Sequence, residues 1–260
     1  MNVLVTGATG ALGRHLCAGP TPPGAALRAQ SRRGMQRGTL GVDHWVQADL
    51  AAGTGLDEML RDVHTIVHAA TDPRHAAWVD GEGTTRLLAA AARANVQHVI
   101  YVSILGVDRI PFAYYRHKVA AERAVSASVV PHSIVRVAQF HTFIDMLLAS
   151  AARCPLVMPM PGRFFAQSVA CEDVAARLWR SVADGPVGRC AAFAGPEIMR
   201  LEDMTDLWKS SRVVRKPTVR LPVPGAFGAA MRAGFNTMPS AERGSVSWQH
   251  WLTQTATLTG

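Results

Sequence analysis

A doubly wound parallel α/β sheet with a small C-terminal cap is the fold that this 260-residue sequence predicts. Three observations predict it. Short apolar runs alternate steadily with helix-like stretches from Val3 to Ala138, the pattern of parallel strands joined by helices. The first run, Val3 to Val5, leads straight into Gly7-Ala8-Thr9-Gly10-Ala11-Leu12-Gly13 and then into Arg14-His15-Leu16, which can begin a helix. From about Phe140 the alternation loosens, in a segment broken by Pro155, Pro159, Pro161 and Gly162.

The glycine turn says most. In the order strand, Gly-x-x-Gly-x-x-Gly, helix, such glycines bind a dinucleotide in a Rossmann-type sheet. One glycine lets the chain reverse tightly, another lets the backbone close on a pyrophosphate, and the last lets the helix pack on the strand. Free N–H groups at the helix start then face the phosphates, where the macrodipole favours negative charge. Gly7, Thr9, Gly10, Ala11, Leu12 and Gly13 are the cofactor-binding candidates here.

The remaining elements follow in order. Gly19-Pro20-Thr21-Pro22-Pro23-Gly24 cannot continue a helix, so the first helix ends near Ala18. Strands are expected at Ala25 to Gln30, His44 to Ala48, His64 to Ala69, His98 to Ser103 and His132 to Ala138. Helices are expected at Leu56 to Arg61, at Glu82 to Asn95 with a somewhat earlier start, and at Tyr114 to Ala127, with Glu122 and Arg123 on its wetter side. After Phe140 come a helix at Glu172 to Ala183, a strand near Arg189 to Phe193 and a helix at Leu201 to Ser211. An extended piece, Pro217 to Pro222, leads to a last apolar helix and a polar tail. One NAD(P)-binding domain over 1–260 is expected, with a dinucleotide core at 1–139 and substrate-side cap plus remaining sheet elements at 140–260. Phe140, Phe143, Met146, Met158, Met160 and Phe164 are candidates to line a hydrophobic pocket there, although Met and Phe are also ordinary core residues.

Composition narrows the classes. Apolar residues make up 48%, yet no stretch reaches the 18 or so uninterrupted apolar residues of a membrane span. The N-terminus enters a strand without the basic and apolar regions of a signal peptide, so a cytoplasmic protein is expected, with no membrane partner. The net charge of +8 raises nucleic acid as a partner, but the basic residues are dispersed and lack aromatic interleaving, so none is expected. Cys17, Cys154, Cys171 and Cys190 are scattered and read as reduced thiols. His64 and His68 fall in one strand, where four residues span about 13 Å, so they cannot close on one metal ion. No metal is expected.

A second constellation lies within Phe112-Ala113-Tyr114-Tyr115-Arg116-His117-Lys118. Tyr114 and Lys118 are four residues apart and share a helix face. A phenol near pKa 10 is a poor acid–base catalyst at neutral pH, and a neighbouring ammonium lowers that value. Tyr114 is thus the candidate proton donor and Lys118 its modulator. Tyr115, three residues from Lys118, competes for the role.

Together these segments resemble an atypical short-chain dehydrogenase/reductase of the NmrA-like, NAD(P)H-binding branch. The similarity is carried by Thr6 to Gly13, Ser31-Arg32-Arg33, Asp49-Leu50, Tyr101-Val102-Ser103, Tyr114 to Glu122, Arg136 to His141, Glu172-Asp173-Val174-Ala175 and Gly195-Pro196-Glu197. The resemblance implies NAD(P) at the glycines, Asp49 near the adenine with Leu50 also a cofactor residue, and Ala69-Ala70-Thr71 beside the ribose. It implies that Lys118 grips the nicotinamide ribose and that Ala138 and Phe140 lie near the nicotinamide. Family members commonly carry two serines after the strand, whereas Ser103 is followed here by Ile104. Ser103 is then the nearby candidate for a carbonyl-polarising serine. Cofactor choice follows from charge. Ser31-Arg32-Arg33 stands where NAD-selective sites place a carboxylate, with none before Asp43, and guanidinium forks match a 2′-phosphate. NADPH is expected.

The function expected is NADPH-dependent reduction of the carbonyl, ketone or quinone, of a hydrophobic small molecule, by a monomer or homodimer. Two alternatives stand beside it: an NADP(H)-binding redox sensor without turnover, and a cofactor-dependent epimerase, dehydratase or cyclase.

Overall fold

The computed structural model describes residues 1–34 and 42–257. Residues 35–41, part of the stretch read above as lacking a carboxylate, and the tail end 258–260 lie outside the described residues. The chain divides into two compact units. One comprises Met1–Ser103, Ala113–Arg136 and Val174–Ala191; the other comprises Ile104–Phe112, Val137–Asp173 and Ala192–Gly260. The division interleaves the two along the sequence.

In the first unit, β1 (Asn2–Thr6), α1 (Ala11–Ala18), β2 (Ala26–Ser31), β3 (His44–Gln47), α2 (Leu56–Leu60) and β4 (Thr65–His68) follow one another. A π-helical stretch, Ala77–Gly83, runs into α3 (Thr84–Arg93), followed by β5 (His98–Ile104), α4 (Ala113–Ala127) and β6 (His132–Val137). Within the unit the strand order is β6-β5-β4-β1-β2-β3. β1 pairs in parallel with β2 (Val3 opposite Leu27) and with β4 (Val3 opposite Thr65). The order therefore reverses beside β1, and ligands of such sheets bind outside the strand ends at that reversal. The central strands β1, β4 and β5 are buried on both faces, as parallel strands covered by helices must be. Leu4, Met59, Ile66, Leu87, Val99 and Tyr101 belong to one core.

α1 stops where the sequence demands: Gly19 closes it on the carbonyl of His15, and Pro20 prevents continuation. α4 presents Tyr115, Lys118, Ala121, Glu122 and Val125 as its buried stripe. This corrects the expectation for Glu122, which is buried, while Arg123 is exposed. The carboxylate tolerates burial because Arg136 grips it through two bonds of 2.8 Å.

In the second unit, the stretch read as irregular contains a helix, α5 (His141–Ala152). Met158–Pro161 pairs with Thr218–Leu221, Phe165–Ala166 with Met199–Arg200, and Phe193–Ala194 with Glu242–Arg243. Helices Leu201–Ser211, Gly225–Arg232 and Trp248–Thr257 complete it. The expected pocket lining divides. Met158, Met160 and Phe164 pack with Leu148, Trp208 and Trp248 in the core, whereas Phe143 and Met146 are exposed. Trp248 and Trp251 stack 5.4 Å apart, with the His141 ring beside both. Among the described residues, no helix is long and apolar enough to cross a membrane, and no group of three His, Cys, Asp or Glu could hold a metal ion.

Candidate functional site

The first part of the site is the corner where β1 turns into α1. Gly7 has φ +66°, a conformation that side chains resist, and a Cβ there would meet Ala70 Cα at 2.7 Å. A Cβ on Gly13 would run into the Gly7 carbonyl oxygen and meet Ala8 Cα at 2.6 Å. These two glycines are therefore fixed by close backbone approach. The Gly10 amide bonds the Gly7 carbonyl at 2.9 Å, and no side chain caps the start of α1. Thr9, Gly10 and Ala11 are exposed, while Leu12 is buried. The result is a side-chain-free cradle ending in N–H groups, which fits the diphosphate of a dinucleotide.

Buried polar groups brace the corner from behind. Gln30 accepts the Gly7 amide through Oε1 at 3.0 Å and donates from Nε2 to the Ala48 carbonyl at 2.6 Å. His68 bridges Thr6 Oγ1, at 2.7 Å from Nδ1, and Thr84 Oγ1, at 3.0 Å from Nε2. Burial, with the Lys118 charge adding, holds the His68 imidazole down at about 3, so it is neutral. The Ala70 amide reaches Thr6 Oγ1 at 3.3 Å, which ties the loop after β4 to β1.

At the end of β2, Ser31 is buried and receives the Arg33 amide at 3.3 Å, while the Arg32 and Arg33 side chains are exposed. Asp49 uses Oδ1 to cap its own turn, accepting the Ala51 and Ala52 amides at 2.8 and 3.2 Å, next to the buried Leu50.

The second part of the site surrounds Tyr114, and the structure brings together residues that no single stretch of sequence displays. Thr71 Oγ1 lies 2.6 Å from the Tyr114 hydroxyl and donates to Asp80 Oδ1 at 2.8 Å. Lys118 Nζ donates to the Val102 carbonyl at 3.0 Å, faces Asp80 Oδ1 at 3.5 Å and sits 4.3 Å above the Tyr101 ring. Both members of the Lys118–Asp80 pair are buried. Burial lowers the Lys118 ammonium from its ordinary value, and Asp80 works against that shift.

The Tyr114 phenol is shifted in the direction opposite to the one expected. Burial first, and the Asp80 carboxylate second, push the phenol above its ordinary value. The ammonium that was to lower it is held by a carboxylate instead. Of the two candidate tyrosines, Tyr114 is half-buried and joined to Thr71, whereas Tyr115 is buried on the inner stripe of its helix.

Ser103 also departs from expectation. It is buried, its Oγ has no hydrogen-bond partner, and it borders Glu122. Burial alone would raise the Glu122 carboxyl, but the hydrogen bonds from Arg136 and the Arg136 and Arg189 charges hold it below its ordinary value. A hydroxyl sealed against that ion pair is badly placed to polarise a substrate carbonyl. Ala69 and Ala70 are half-buried and Thr71 is exposed, in the loop leaving β4. Ala138 and Phe140 belong to the second unit, where Ala138 is buried and Phe140 half-buried.

Sequence reasoning missed Gln30, Asp80 and the Thr6–His68–Thr84 bridge. Only Asp80 had a usable signal: a lysine at a buried helical position needs an anion, and few acidic residues were available to supply one.

Comparison with known proteins identifies the family and the fold. A family model described as NAD(P)H-binding matches residues 7–184. A (4-alkanoyl-5-oxo-2,5-dihydrofuran-3-yl)methyl phosphate reductase from Streptomyces griseus is 32% identical over 224 residues, covering 83% of this chain and 74% of the relative. The fold is similar to that of an NADPH-dependent quinone oxidoreductase from Escherichia coli complexed with NADPH, with a TM-score of 0.79 and 16% identity over 97% of this chain and 99% of that one. A nucleoside-diphosphate-sugar epimerase from Staphylococcus aureus has a TM-score of 0.77 and 17% identity over 97% and 99% of the two chains.

Proposed function

Because this chain belongs to the NAD(P)H-binding family and is an NAD(P)H-dependent oxidoreductase, we propose that it reduces the carbonyl of a hydrophobic small molecule, with Tyr114 as proton donor. The observation that carries this reading is the Tyr114 hydroxyl itself, half-buried and bonded to Thr71, in the loop that leaves β4 beside the glycine corner. NADPH, when bound, supplies the hydride. Gly7, Gly10 and Gly13 hold its diphosphate, Ser31, Arg32 and Arg33 its 2′-phosphate, Asp49 and Leu50 flank the adenine, and Ala69, Ala70 and Thr71 border ribose. Lys118 acts from behind, through Asp80, and not as an open ribose ligand.

The chain's own chemical step is a proton transfer. As the substrate carbonyl becomes an alkoxide, its oxygen takes the Tyr114 proton; the phenolic O–H bond breaks, and solvent restores it. A neutral phenol is the form this requires, and burial with Asp80 favours it. The Streptomyces griseus relative supports a carbonyl on an unsaturated ring as the reacting part, since its name describes an acyl group and a ring carbonyl on such a ring, together with a phosphate ester. A conjugated carbonyl of that kind uses the same proton donor at its oxygen.

The test is NADPH consumption with a panel of aryl ketones, quinones and acylated unsaturated lactones, with product identified in each case. Stoichiometric loss of NADPH with reduced product is expected. Product without net NADPH loss would point to epimerase-type chemistry, and bound NADPH left intact by every compound would point to a sensor.

A further inference from the structure

Asp80 takes no part in the proton transfer described above, yet it lies at the centre of the groups around Tyr114. Its side chain is fully buried on the π-helical stretch Ala77–Gly83, a winding that recurs at functional sites. Oδ1 accepts from Thr71 at 2.8 Å and faces Lys118 at 3.5 Å, while Oδ2 accepts the Asp72 amide at 3.2 Å. A carboxylate paired with an ammonium only accepts hydrogen bonds. The one hydroxyl proton of Thr71 therefore goes to Asp80, and Thr71 meets Tyr114 with a lone pair. In the 2.6 Å bond between them the phenol is the donor. The bonds run one way, from Tyr114 through Thr71 to Asp80.

We propose that Asp80 is a positioning residue that keeps Tyr114 in its proton-donating form, by orienting the phenol through Thr71 and by engaging the Lys118 ammonium. The inference rests on the reading of Tyr114 as the acid, and it adds a direction. Reduction needs a neutral phenol, whereas alcohol oxidation needs a phenolate as base. A buried anion linked to the phenol by one threonine sets the site for reduction.

The charged groups that act on Tyr114 all push the same way, and the Thr71 bond would favour the phenolate only by turning its proton away from Asp80. The ionisable groups that act on it are Asp80 from the π-helical stretch, Asp72 from the preceding loop, Tyr115 from its own helix and Tyr101 from β5. Asp72 is bonded to His75 at 3.1 Å. The nearby cation, Lys118, is shared among Asp80, the Val102 carbonyl and the Tyr101 ring. Removing the Asp80 charge takes an anion away from the phenol and releases the cation, and both changes favour the phenolate.

The experiment is a tyrosinate absorbance titration of the protein without cofactor or substrate. The sequence has three tyrosines, so the Tyr114 transition is isolated as the difference from the same protein carrying Tyr114→Phe. In Asp80→Asn the Tyr114 midpoint is expected to fall by about one to three pH units. Thr71→Val, at an exposed position, is measured in parallel and is expected to lower the midpoint by a smaller amount, because the phenol loses its acceptor. In turnover, the alkaline loss of activity should move down with the same midpoint. A shift below about half a unit, or an upward shift, in folded Asp80→Asn overturns the proposal. Should Asp80→Asn fail to fold, an unchanged or raised midpoint in Thr71→Val overturns it. No substrate is needed, so this failure is separate from that of the reductase reading, which the kinetics of Tyr114→Phe decide.

Discussion

The glycine corner and the wall around Tyr114 belong to the same unit but are specified in different ways. The corner is a backbone object. Gly7 and Gly13 are required because carbonyls and Cα atoms lie where a side chain would go, and seven consecutive residues hold most of the information. The wall is a charge object. Thr71, Asp80, Tyr114 and Lys118 come from a loop, a π-helical stretch and a helix, and each has its meaning only through the others. Cofactor binding is thus written locally, whereas the protonation state of the acid depends on partners far apart in sequence.

The largest effect should come from breaking the wall's ion pair. Lys118→Met leaves the Asp80 carboxylate buried without its cation, a loss of about 3–5 kcal/mol by chemical denaturation. Stability within 1 kcal/mol or so of the unsubstituted protein would mean that the pair is not a buried charge object at all. Next is the corner. Gly13→Val forces a side chain into the Gly7 and Ala8 backbone and should weaken NADPH binding roughly 100-fold, equivalent to about 2.8 kcal/mol. Nicotinamide fluorescence measures this, and unchanged affinity would break the local half of the comparison.

Acid should act on two buried histidines of the same unit. Burial keeps the His68 imidazole neutral down to about 3, and burial with the nearby His132 charge keeps that of His98 neutral down to about 4. Unfolded imidazoles take up protons near pH 6.5, so below that value the unfolded chain binds more protons. Stability should then be level with respect to these groups above pH 6.5 and fall as pH drops from 6.5 towards 4, by up to about 1.4 kcal/mol per pH unit for each histidine. Urea unfolding at pH 7, 6 and 5 checks it; equal stability at pH 7 and 5 would contradict it. The smallest effect belongs to the exposed arginines. Replacing Arg32 and Arg33 by alanine should cut the preference for NADPH over NADH roughly tenfold, about 1.4 kcal/mol, with little change in NADH affinity.

The same contrast explains what could be read from the sequence. The strands of the first unit, the stop of α1 at Ala18 and the helix Leu201–Ser211 were legible, since apolar periodicity and Gly-Pro punctuation determine them. α5 was not, because exposed Phe143, Met146 and Leu147 blur the buried stripe of His141, Ile144 and Leu148. Two-residue strands such as Phe193–Ala194 have no periodicity to show. Glu122 was placed on the wet side because a lone acid on a helix is usually solvated; its pairing with Arg136 and Arg189 explains its burial. Asp80 was missed even though Lys118 called for an anion, because its partners lie 9 residues before it and in α4.

One measurement reaches the central claim most directly, by holding the corner constant while altering the wall. NADPH affinity and the single-turnover rate of NADPH oxidation are compared in the unsubstituted protein and in Tyr114→Phe, with the best carbonyl substrate. Affinity should stay within about twofold while the rate falls about 10²- to 10⁴-fold. Equal rates with intact NADPH binding would contradict the assignment of Tyr114 as the acid.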